Sequence, residues 1–181
     1  MSFLEHITKR GYSEYVDAWL SPAEELVYFK LWGWNNKLVG YQRYDWRSEK
    51  LSSNKGRYYT YSIKGYEECC LYGLRSLTRF PSPSPLFIVE GAWNAVTCHN
   101  NGYAALATLT ATPSKSLRDF ILAIAGNRRR IALLDNDAQG TKQTLSAMAD
   151  FSYKPEYGKD VNDLHPLDAS LWLDELDEKS L

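Results

Sequence analysis

The sequence is poor in the features that mark secreted, zinc-binding and membrane proteins. It has three cysteines in 181 residues, and two of them, Cys69 and Cys70, are adjacent. This number and spacing give neither a disulfide framework nor a Cys-x-x-Cys zinc module, and they favour a reducing compartment. No apolar run approaches the roughly 20 residues of a membrane span, and no signal peptide is visible. We therefore expect a globular cytoplasmic protein without a membrane partner.

The sequence also has few histidines, almost no net charge and no phosphate-binding loop of the P-loop type. His6, His99 and His165 do not have the spacing of metal ligands. The absence of a Gly-x-x-x-x-Gly-Lys-Ser/Thr loop excludes a helicase motor of that kind. The formal net charge of −1 does not exclude nucleic-acid binding, because basic and acidic patches cancel in the sum. With 44% hydrophobic residues, the chain can bury the core of one domain or of two small ones.

Proline is sparse except at one place, where three of the seven prolines fall in Pro81–Pro85. Prolines at alternate positions are not compatible with the interior of a helix or of a central strand. The segment therefore predicts a short stiff linker between two units. A junction at this point would leave a cleft beside the residues that follow it.

Two apolar runs that come after this linker each end in acidic residues. Leu86–Val89 and Ile131–Leu134 have the length and composition of buried strands. Glu90 follows the first run, and Asp135 and Asp137 follow the second. In an open parallel sheet, residues just past the carboxyl ends of the strands line the ligand crevice. Carboxylates gathered there repel one another unless a cation is bound, and oxygen ligands favour Mg²⁺ or Mn²⁺.

The two motifs, Ile88-Val-Glu-Gly91 and Asp135-Asn-Asp-Ala-Gln-Gly140, together resemble the Toprim domain of bacterial and phage primases, topoisomerases and some nucleases. In that family a hydrophobic strand ends in Glu-Gly, and a later strand ends in Asp-x-Asp. The resemblance implies a parallel sheet flanked by helices. It also implies catalytic and metal-binding roles for Glu90, Asp135 and Asp137, with Mg²⁺ or Mn²⁺ as the cofactor. The alternative for an acid after a strand is that it caps the next helix.

A third acidic segment, Lys159-Asp-Val-Asn-Asp163, resembles Lys-Asp-x-Asn-Asp/Glu segments that lie near the metal site of phage and plasmid Toprim primases. Asp160 and Asp163 are three residues apart and share one face if this turn is helical. We therefore expect both to be metal ligands in a two-metal phosphoryl-transfer site. Lys159 is a further candidate for nucleotide binding. So is Lys142, near the start of a helix predicted over 138–149.

The first third of the chain predicts a small antiparallel unit. Leu26–Tyr44 has the pattern of a hairpin, with turn residues at Trp34-Asn-Asn36, and Arg57–Ser62 is a third strand. Short helices are expected within Met1–Leu20, where Tyr15, Val16 and Trp19 have helical spacing.

Three short motifs in this part form a second resemblance, to the amino-terminal subdomain of primase polymerase cores. They are Leu38-Val-Gly-Tyr-Gln-Arg43, Lys55-Gly-Arg-Tyr58 and Leu71-Tyr-Gly-Leu74. The two resemblances cover roughly 27–164. The predicted organisation is thus an α+β antiparallel subdomain over 1–80, a Toprim domain over 86–165 and an acidic helix over 166–181.

The amino-terminal unit is locally basic, with aromatic residues between the cations. Such a pattern suits a track for single-stranded nucleic acid, although a solvated hairpin face is the alternative. Arg43 is singled out because its planar guanidinium matches phosphate oxygens and because it fits the family motif. The candidate nucleic-acid or nucleotide ligands in this unit are Arg43, Lys55, Arg57 and Tyr58.

The sequence leaves three functions open. The first is a primase-like nucleotidyltransferase that makes RNA primers on single-stranded DNA from NTPs, in a host cell or as a phage protein. The second is a metal-dependent Toprim nuclease acting on DNA or RNA, and the third is a non-catalytic module that binds nucleic acid or a replication protein. A lone primase core would depend on a separately encoded helicase or replication protein, with the helix over 167–181 as the candidate docking element.

Overall fold

The chain folds around two β-sheets, one on each side of the Pro81–Pro85 segment. The computed structural model describes residues 1–48, 56–66, 70–136 and 142–181, with residues 142 and 143 described by their backbone alone. Within these ranges each sheet has four strands. The first sheet is antiparallel and contains, in spatial order, β1 (Ala18–Ser21), β2 (Leu26–Trp32), β3 (Leu38–Asp45) and β4 (Tyr58–Ser62). The second is parallel and contains, in spatial order, β6 (Ala104–Ala107), β5 (Leu86–Val89), β7 (Arg130–Leu133) and β8 (Phe151–Tyr153).

The helices complete the expected α/β architecture. Helix α3 (Ala92–Asn100) follows β5, and α4 (Lys115–Ala125) follows β6. A serine before a helix favours an N-cap, and Oγ of Ser114 accepts a hydrogen bond from the backbone N–H of Leu117 at 3.2 Å. The remaining helices are α1 (Phe3–Lys9), α2 (Ser76–Arg79), α5 (Lys142–Ser146), a 3₁₀ turn (Val161–Asp163) and α6 (Pro166–Lys179). The predicted helix over 138–149 is thus observed over Lys142–Ser146, and 138–141 lie outside the described residues.

The predicted hairpin and third strand are confirmed in the first sheet, but the helix expected around Tyr15–Trp19 is wrong. Residues Ala18–Ser21 form the edge strand β1, which pairs antiparallel with β2. The helical spacing in this segment covers only three residues. The open edge of β2 offers it backbone hydrogen bonds, and the Trp19 ring stacks on Tyr28 with centroids 5.3 Å apart. Strand pairing and this cross-strand contact outweigh a weak local preference.

The antiparallel sheet has two distinct faces. Residues Val27, Phe29 and Leu31 of β2 are fully buried, and with Gln42, Tyr44 and Tyr58 they define what we call the inner face. Trp93 of α3 lies against this face, with its ring 4.9 Å from Phe29 and 5.5 Å from Tyr44, both edge-on. One continuous hydrophobic core therefore runs from the antiparallel sheet through α3 to the parallel sheet.

The carboxyl-terminal helix α6 covers this core from another side. The sequence predicts an apolar side of Leu171, Leu173 and Leu176 for this helix. Leu173 and Leu176 are buried, whereas Leu171 is 61% exposed and is not part of that side. Ala169 takes the corresponding buried place, because the helical period brings it, and not Leu171, onto the stripe of Leu173 and Leu176. An ion pair of 2.6 Å between Arg129 and Asp177 fixes the end of the helix. Its role as a docking element stays a prediction.

Candidate active-site cleft

A cleft of about 380 Å³ lies where the carboxyl ends of β5 and β7 meet the inner face of the antiparallel sheet. Strands β5 and β7 are neighbours and pair in parallel, and this pairing brings the residues that follow them to one edge. Among the described residues, four carboxylates line the cleft: Glu90, Asp135, Asp160 and Asp163. Three cations line it as well: Arg10, Arg57 and Lys159. This mixture suits a ligand that carries phosphate groups and a cation together.

Glu90 is fixed at the point where β5 becomes α3. Its backbone oxygen accepts a hydrogen bond from Leu109 N at 2.9 Å, one residue beyond the same contact between Thr108 N and Val89 O. The sheet pairing thus extends past the end of β5 and holds the Glu90 backbone. The N-cap position of α3 is Gly91. Glu90 therefore does not occupy the capping position that was its alternative interpretation.

Asp135 is held by α3 and not by its own strand alone. The side-chain amide of Asn94 donates a hydrogen bond to Oδ1 of Asp135 at 3.2 Å. Asn94 is 3% exposed, so the donor of this bond is buried, and the bond connects α3 to the aspartate that follows β7. The remaining acid of that motif, Asp137, lies outside the described residues.

Asn136 connects the acidic loop to the 155–159 segment. Its backbone N–H donates to Lys159 O at 2.7 Å. Its side-chain amide donates to Pro155 O at 2.9 Å and to Gly158 O at 2.8 Å. Sequence reasoning treated this position as the variable residue of Asp-x-Asp and missed it. An Asn between two aspartates is a signal for such backbone contacts, because its amide can donate where a carboxylate can only accept.

Asp160 and Asp163 both organise the turn that carries them. Oδ1 of Asp160 accepts from Asn162 N at 2.9 Å, and Oδ2 of Asp163 accepts from Lys159 N at 3.1 Å. Burial raises the pKa of Asp160, the charge of Asp163 raises it further, and the Arg10 guanidinium opposes the shift. Both carboxylates line the cleft, and Asp160 is also the N-cap of the turn. Their roles as metal ligands stay predictions.

Arg10 is a cleft residue that sequence reasoning missed. It follows α1, and its guanidinium lies 5.3 Å from the centroid of the Trp93 ring and 5.7 Å from that of Tyr44. Its Nε is buried and has no hydrogen-bond partner among the described residues. A cation on aromatic faces keeps its donors for a ligand. The sequence gives little signal for this role, since a basic residue at a helix end is ordinarily solvated.

The predicted nucleic-acid ligands divide between the two faces of the antiparallel sheet. Arg57 and Tyr58 line the cleft, and burial raises the pKa of the Tyr58 hydroxyl well above its usual range. Arg43 lies on the opposite face, where it donates to Gly56 O at 3.1 Å and lies over the Tyr59 ring. Lys55 lies outside the described residues, and of Lys142 only the backbone is described, at the start of α5.

A divalent cation fits the chemistry of the cleft, although the described residues do not bring three of its possible ligands together. Within those residues, no group of three His, Cys, Asp or Glu side chains could hold a metal ion. The acids that line the cleft nevertheless offer oxygen donors only, which is the set that Mg²⁺ and Mn²⁺ prefer. Glu90 and Asp135 are the candidate ligands that follow the neighbouring strands β5 and β7.

Solved structures with the same arrangement of sheets and helices identify the fold. The Aquifex aeolicus primase (zinc-binding and RNA polymerase domains) superposes with a TM-score of 0.71 at 13% identity, over 97% of this chain and 55% of that one. The chain has the fold of DnaG-type primase catalytic cores. The E. coli primase catalytic core has a TM-score of 0.65 at 16% identity, over 85% of this chain and 52% of that one. A DnaG primase catalytic domain bound to ssDNA has a TM-score of 0.65 at 15% identity, over 97% of this chain and 58% of that one.

The likeness to the primase core is one of fold and not of sequence. No protein-family model matches the sequence, and no curated protein matches it significantly. The chain spans little more than half the length of the primase structures named above. Within the described ranges, none of the helices combines the length and hydrophobicity that a membrane span needs.

Proposed function

We propose that this protein is a primase-like nucleotidyltransferase that synthesises short RNA primers on single-stranded DNA. The observation that carries the proposal is the cleft itself. Glu90, Asp135, Asp160 and Asp163 share it with Arg10, Arg57 and Lys159, inside a fold that matches primase catalytic cores. Phosphoryl transfer between nucleotides needs this combination, because a triphosphate must be neutralised and a cation must be held beside it.

The reaction joins two nucleotides. The 3′-hydroxyl oxygen of one nucleotide forms a bond to the α-phosphorus of the next, and the bond from that phosphorus to the bridging oxygen breaks. Pyrophosphate leaves with the electron pair, and the hydroxyl proton passes to a carboxylate of the cleft, for which Glu90 is the candidate. Mg²⁺ or Mn²⁺, held by Glu90, Asp135 and Asp137 with Asp160 or Asp163, would neutralise the phosphoryl oxygens and align the attacking and leaving groups.

The cations of the cleft bind the triphosphate in this proposal. Arg10 and Arg57 offer planar donor forks for phosphate oxygens, and Lys159 offers a compact charge. Arg10 comes from the antiparallel unit and Lys159 from the loop after β8, so a nucleotide bound between them would be gripped from two sides. Lys142 is a further proposed contact at the start of α5.

Single-stranded DNA is the proposed template. Support comes from the similar primase catalytic domain whose structure was solved bound to ssDNA. A cytoplasmic location, a phage or mobile-element origin and stimulation by a separately encoded helicase or replication protein belong to the same proposal. A small basic track gives weak and largely sequence-independent binding, so a partner would be needed to hold the template.

The decisive experiment incubates the pure protein with single-stranded DNA, labelled NTPs and Mg²⁺ or Mn²⁺, and separates the products by size. New labelled oligomers that need both template and metal are expected. Glu90→Gln should abolish them while circular dichroism and melting remain unchanged, and Glu156→Gln, an exposed acid outside the cleft, should not. Cleavage of the DNA without oligomer synthesis would identify a nuclease instead. Neither product, with DNA still bound, would indicate a non-catalytic module.

A further inference from the structure

The outer face of the antiparallel sheet carries a group of aromatic side chains that the cleft does not use. Side chains alternate between the two faces of a strand, so the residues between the buried positions of β1 to β4 point away from Trp93. Tyr61 is 45% exposed, and the other rings of the group are partly exposed. We call this group the outer aromatic face; it consists of Trp19, Tyr28, Tyr41, Tyr59 and Tyr61.

The register of the sheet arranges these rings in two rows that cross the strands. In one row Trp19 is opposite Tyr28, Tyr28 is opposite Arg43, and Arg43 is opposite Tyr59. In the next row Lys30 is opposite Tyr41, and Tyr41 is opposite Tyr61. The first row thus crosses all four strands and the second crosses β2 to β4, and each contains a cation beside its aromatic rings.

The rings are packed on one another. Trp19 stacks on Tyr28 with centroids 5.3 Å apart, and Tyr41 stacks on Tyr61 at 5.4 Å. Tyr41 also meets Tyr28 edge-on at 5.4 Å, which joins the two rows. The Arg43 guanidinium lies 5.8 Å from the centroid of the Tyr59 ring. These contacts hold the rings in fixed orientations. Binding of a planar ligand would therefore cost little side-chain entropy, because the rings are already ordered.

We propose that the outer aromatic face stacks the bases of single-stranded DNA and so holds the template outside the cleft. This proposal rests on the proposed function, because it assumes that the ligand of the cleft is a nucleotide paired to that template. Four-stranded sheets with exposed aromatic rings stack two or three bases in a common RNA-binding module, and such stacking tolerates any sequence. The guanidinium of Arg43 adds a planar cation that can face a base or a phosphate.

Two cations lie among the rings of this face, and positive charge there attracts the phosphates of a nucleic acid. Arg43 lies between Tyr28 and Tyr59, and Lys30 lies beside Tyr41 with its Nζ 3.9 Å from Asp17. Edge strand β4 then gives a path to the cleft, because Tyr58 lines the cleft and the next residue, Tyr59, belongs to the outer aromatic face. A strand of DNA that crosses β4 would pass from the stacking surface to the acids.

The test compares leucine variants, which keep an apolar side chain on the strand but remove the ring. Tyr61→Leu and the double variant Tyr41→Leu/Tyr61→Leu are measured against Tyr15→Leu, an exposed tyrosine outside the face. Binding of a labelled oligothymidylate is followed by fluorescence anisotropy. We expect a loss of about fivefold for Tyr61→Leu and of roughly twentyfold for the double variant, with less than about twofold for Tyr15→Leu. Melting curves check that every variant is folded.

Photo-cross-linking locates the bound strand directly. An oligonucleotide with 5-iodouracil is irradiated in complex with the full chain, and the modified peptides are identified by mass spectrometry. Cross-links at Tyr41, Tyr59 or Tyr61 are expected. Equal affinity of the three tyrosine variants, with cross-links only at cleft residues such as Tyr58, would overturn the inference.

The outcomes separate this inference from the proposed function. If the unaltered protein makes primers while the variants of the outer aromatic face bind DNA normally, the stacking surface is rejected and the proposed primase function is supported. If those variants lose DNA binding and the unaltered protein makes no primers with any metal, the stacking surface is supported and the primase function is rejected. A chain that binds no single-stranded DNA at all would contradict both.

Discussion

The side-chain amide of Asn94 donates a hydrogen bond to Oδ1 of Asp135 at 3.2 Å, and it does so from a buried position in the first turn of α3. A neutral donor therefore lies beside the first aspartate of the acidic motif. The amide occupies one carboxylate oxygen and adds no charge of its own. The negative charge at this edge of the cleft therefore comes from Glu90 and Asp135, the acids that follow β5 and β7.

Replacing Asn94 by Asp tests that pairing. A second carboxylate in hydrogen-bond contact with Asp135 repels it and loses the donated bond, so we expect Asn94→Asp to lose on the order of 1–3 kcal/mol of stability near neutral pH. Mg²⁺ or Mn²⁺ should recover part of the loss, because a cation between two carboxylates removes the repulsion. Thermal unfolding with and without metal measures both effects. Asn127→Asp, at an exposed position, should show neither, and a metal-independent melting point for Asn94→Asp would contradict the expectation.

The metal site gives the second prediction. Asp135→Asn combined with Asp137→Asn should remove binding of Mn²⁺, because an amide oxygen is a weaker ligand for a hard cation than a carboxylate. Isothermal titration calorimetry with Mn²⁺ measures the binding. Asp119→Asn is the control, since Asp119 forms an exposed ion pair with Lys115 on α4. Equal heats of binding in the double variant and the unaltered protein would place the cation elsewhere.

Asp160 gives a prediction about pH. Its pKa is raised by burial and by the Asp163 charge, so its ionised form is less favourable in the folded state than in the unfolded state. The stability that its protonated form contributes is complete below the ordinary carboxyl pKa and is lost as the pH rises through the folded value. Asp160→Asn should therefore raise the melting temperature near neutral pH by a few degrees. The amide oxygen can still accept from Asn162 N.

The pH profile of that variant distinguishes electrostatics from packing. The gain in melting temperature should shrink as the pH is lowered toward the ordinary carboxyl range, because Asp160 then becomes neutral in the unaltered protein too. A gain that is independent of pH would assign the effect to packing. If Asp160 is a metal ligand, the stabilised variant should also lose metal-dependent synthesis.

The basic residues of the antiparallel unit give the fourth prediction. Arg43→Ala and Lys55→Ala should each weaken binding of single-stranded DNA and make its salt dependence shallower, by about 0.7 in the logarithmic slope for each phosphate that the variant no longer neutralises. Mn²⁺ binding should stay unchanged, since Arg43 lies on the face away from the acids. Lys115→Ala, on α4, is the matched control. Slopes that remain parallel to that of the unaltered protein would argue against a phosphate track in this unit.

The parts of the fold that the sequence predicts are those whose signal is local. Leu86–Val89 is an uninterrupted apolar run, and all four of its residues are buried in the central part of the parallel sheet. Because each apolar run and the acids that follow it are contiguous in the chain, the strands and the acids at their ends can be predicted together. The parallel sheet is implied by the Toprim resemblance and not by this local pattern. Ser114 before α4 is another local signal, and its cap forms as expected.

The parts that it does not predict depend on contacts between distant residues. Strand β1 exists because the edge of β2 is available to it, and Arg10 reaches the cleft because Trp93, far along the chain, presents its ring. The locally basic unit offers no way to tell that Arg57 lines the cleft while Arg43 lies on the face away from it. The register of β3 and β4 places Arg43, whereas Arg57 precedes β4. Side-chain spacing alone cannot supply these pairings.

The position of Trp93 bears on how the chain folds as it is synthesised. Trp93 completes the core of the antiparallel sheet by packing on Phe29 and Tyr44, yet it is translated long after β4. The nascent sheet therefore emerges from the ribosome with part of its apolar face uncovered, and Tyr72 and then α3 cover that part only afterwards. Segments of this kind are prone to aggregate and to need chaperones. A recombination event that replaced only the part of the gene encoding α3 would have to supply another aromatic ring to pack on Phe29 and Tyr44.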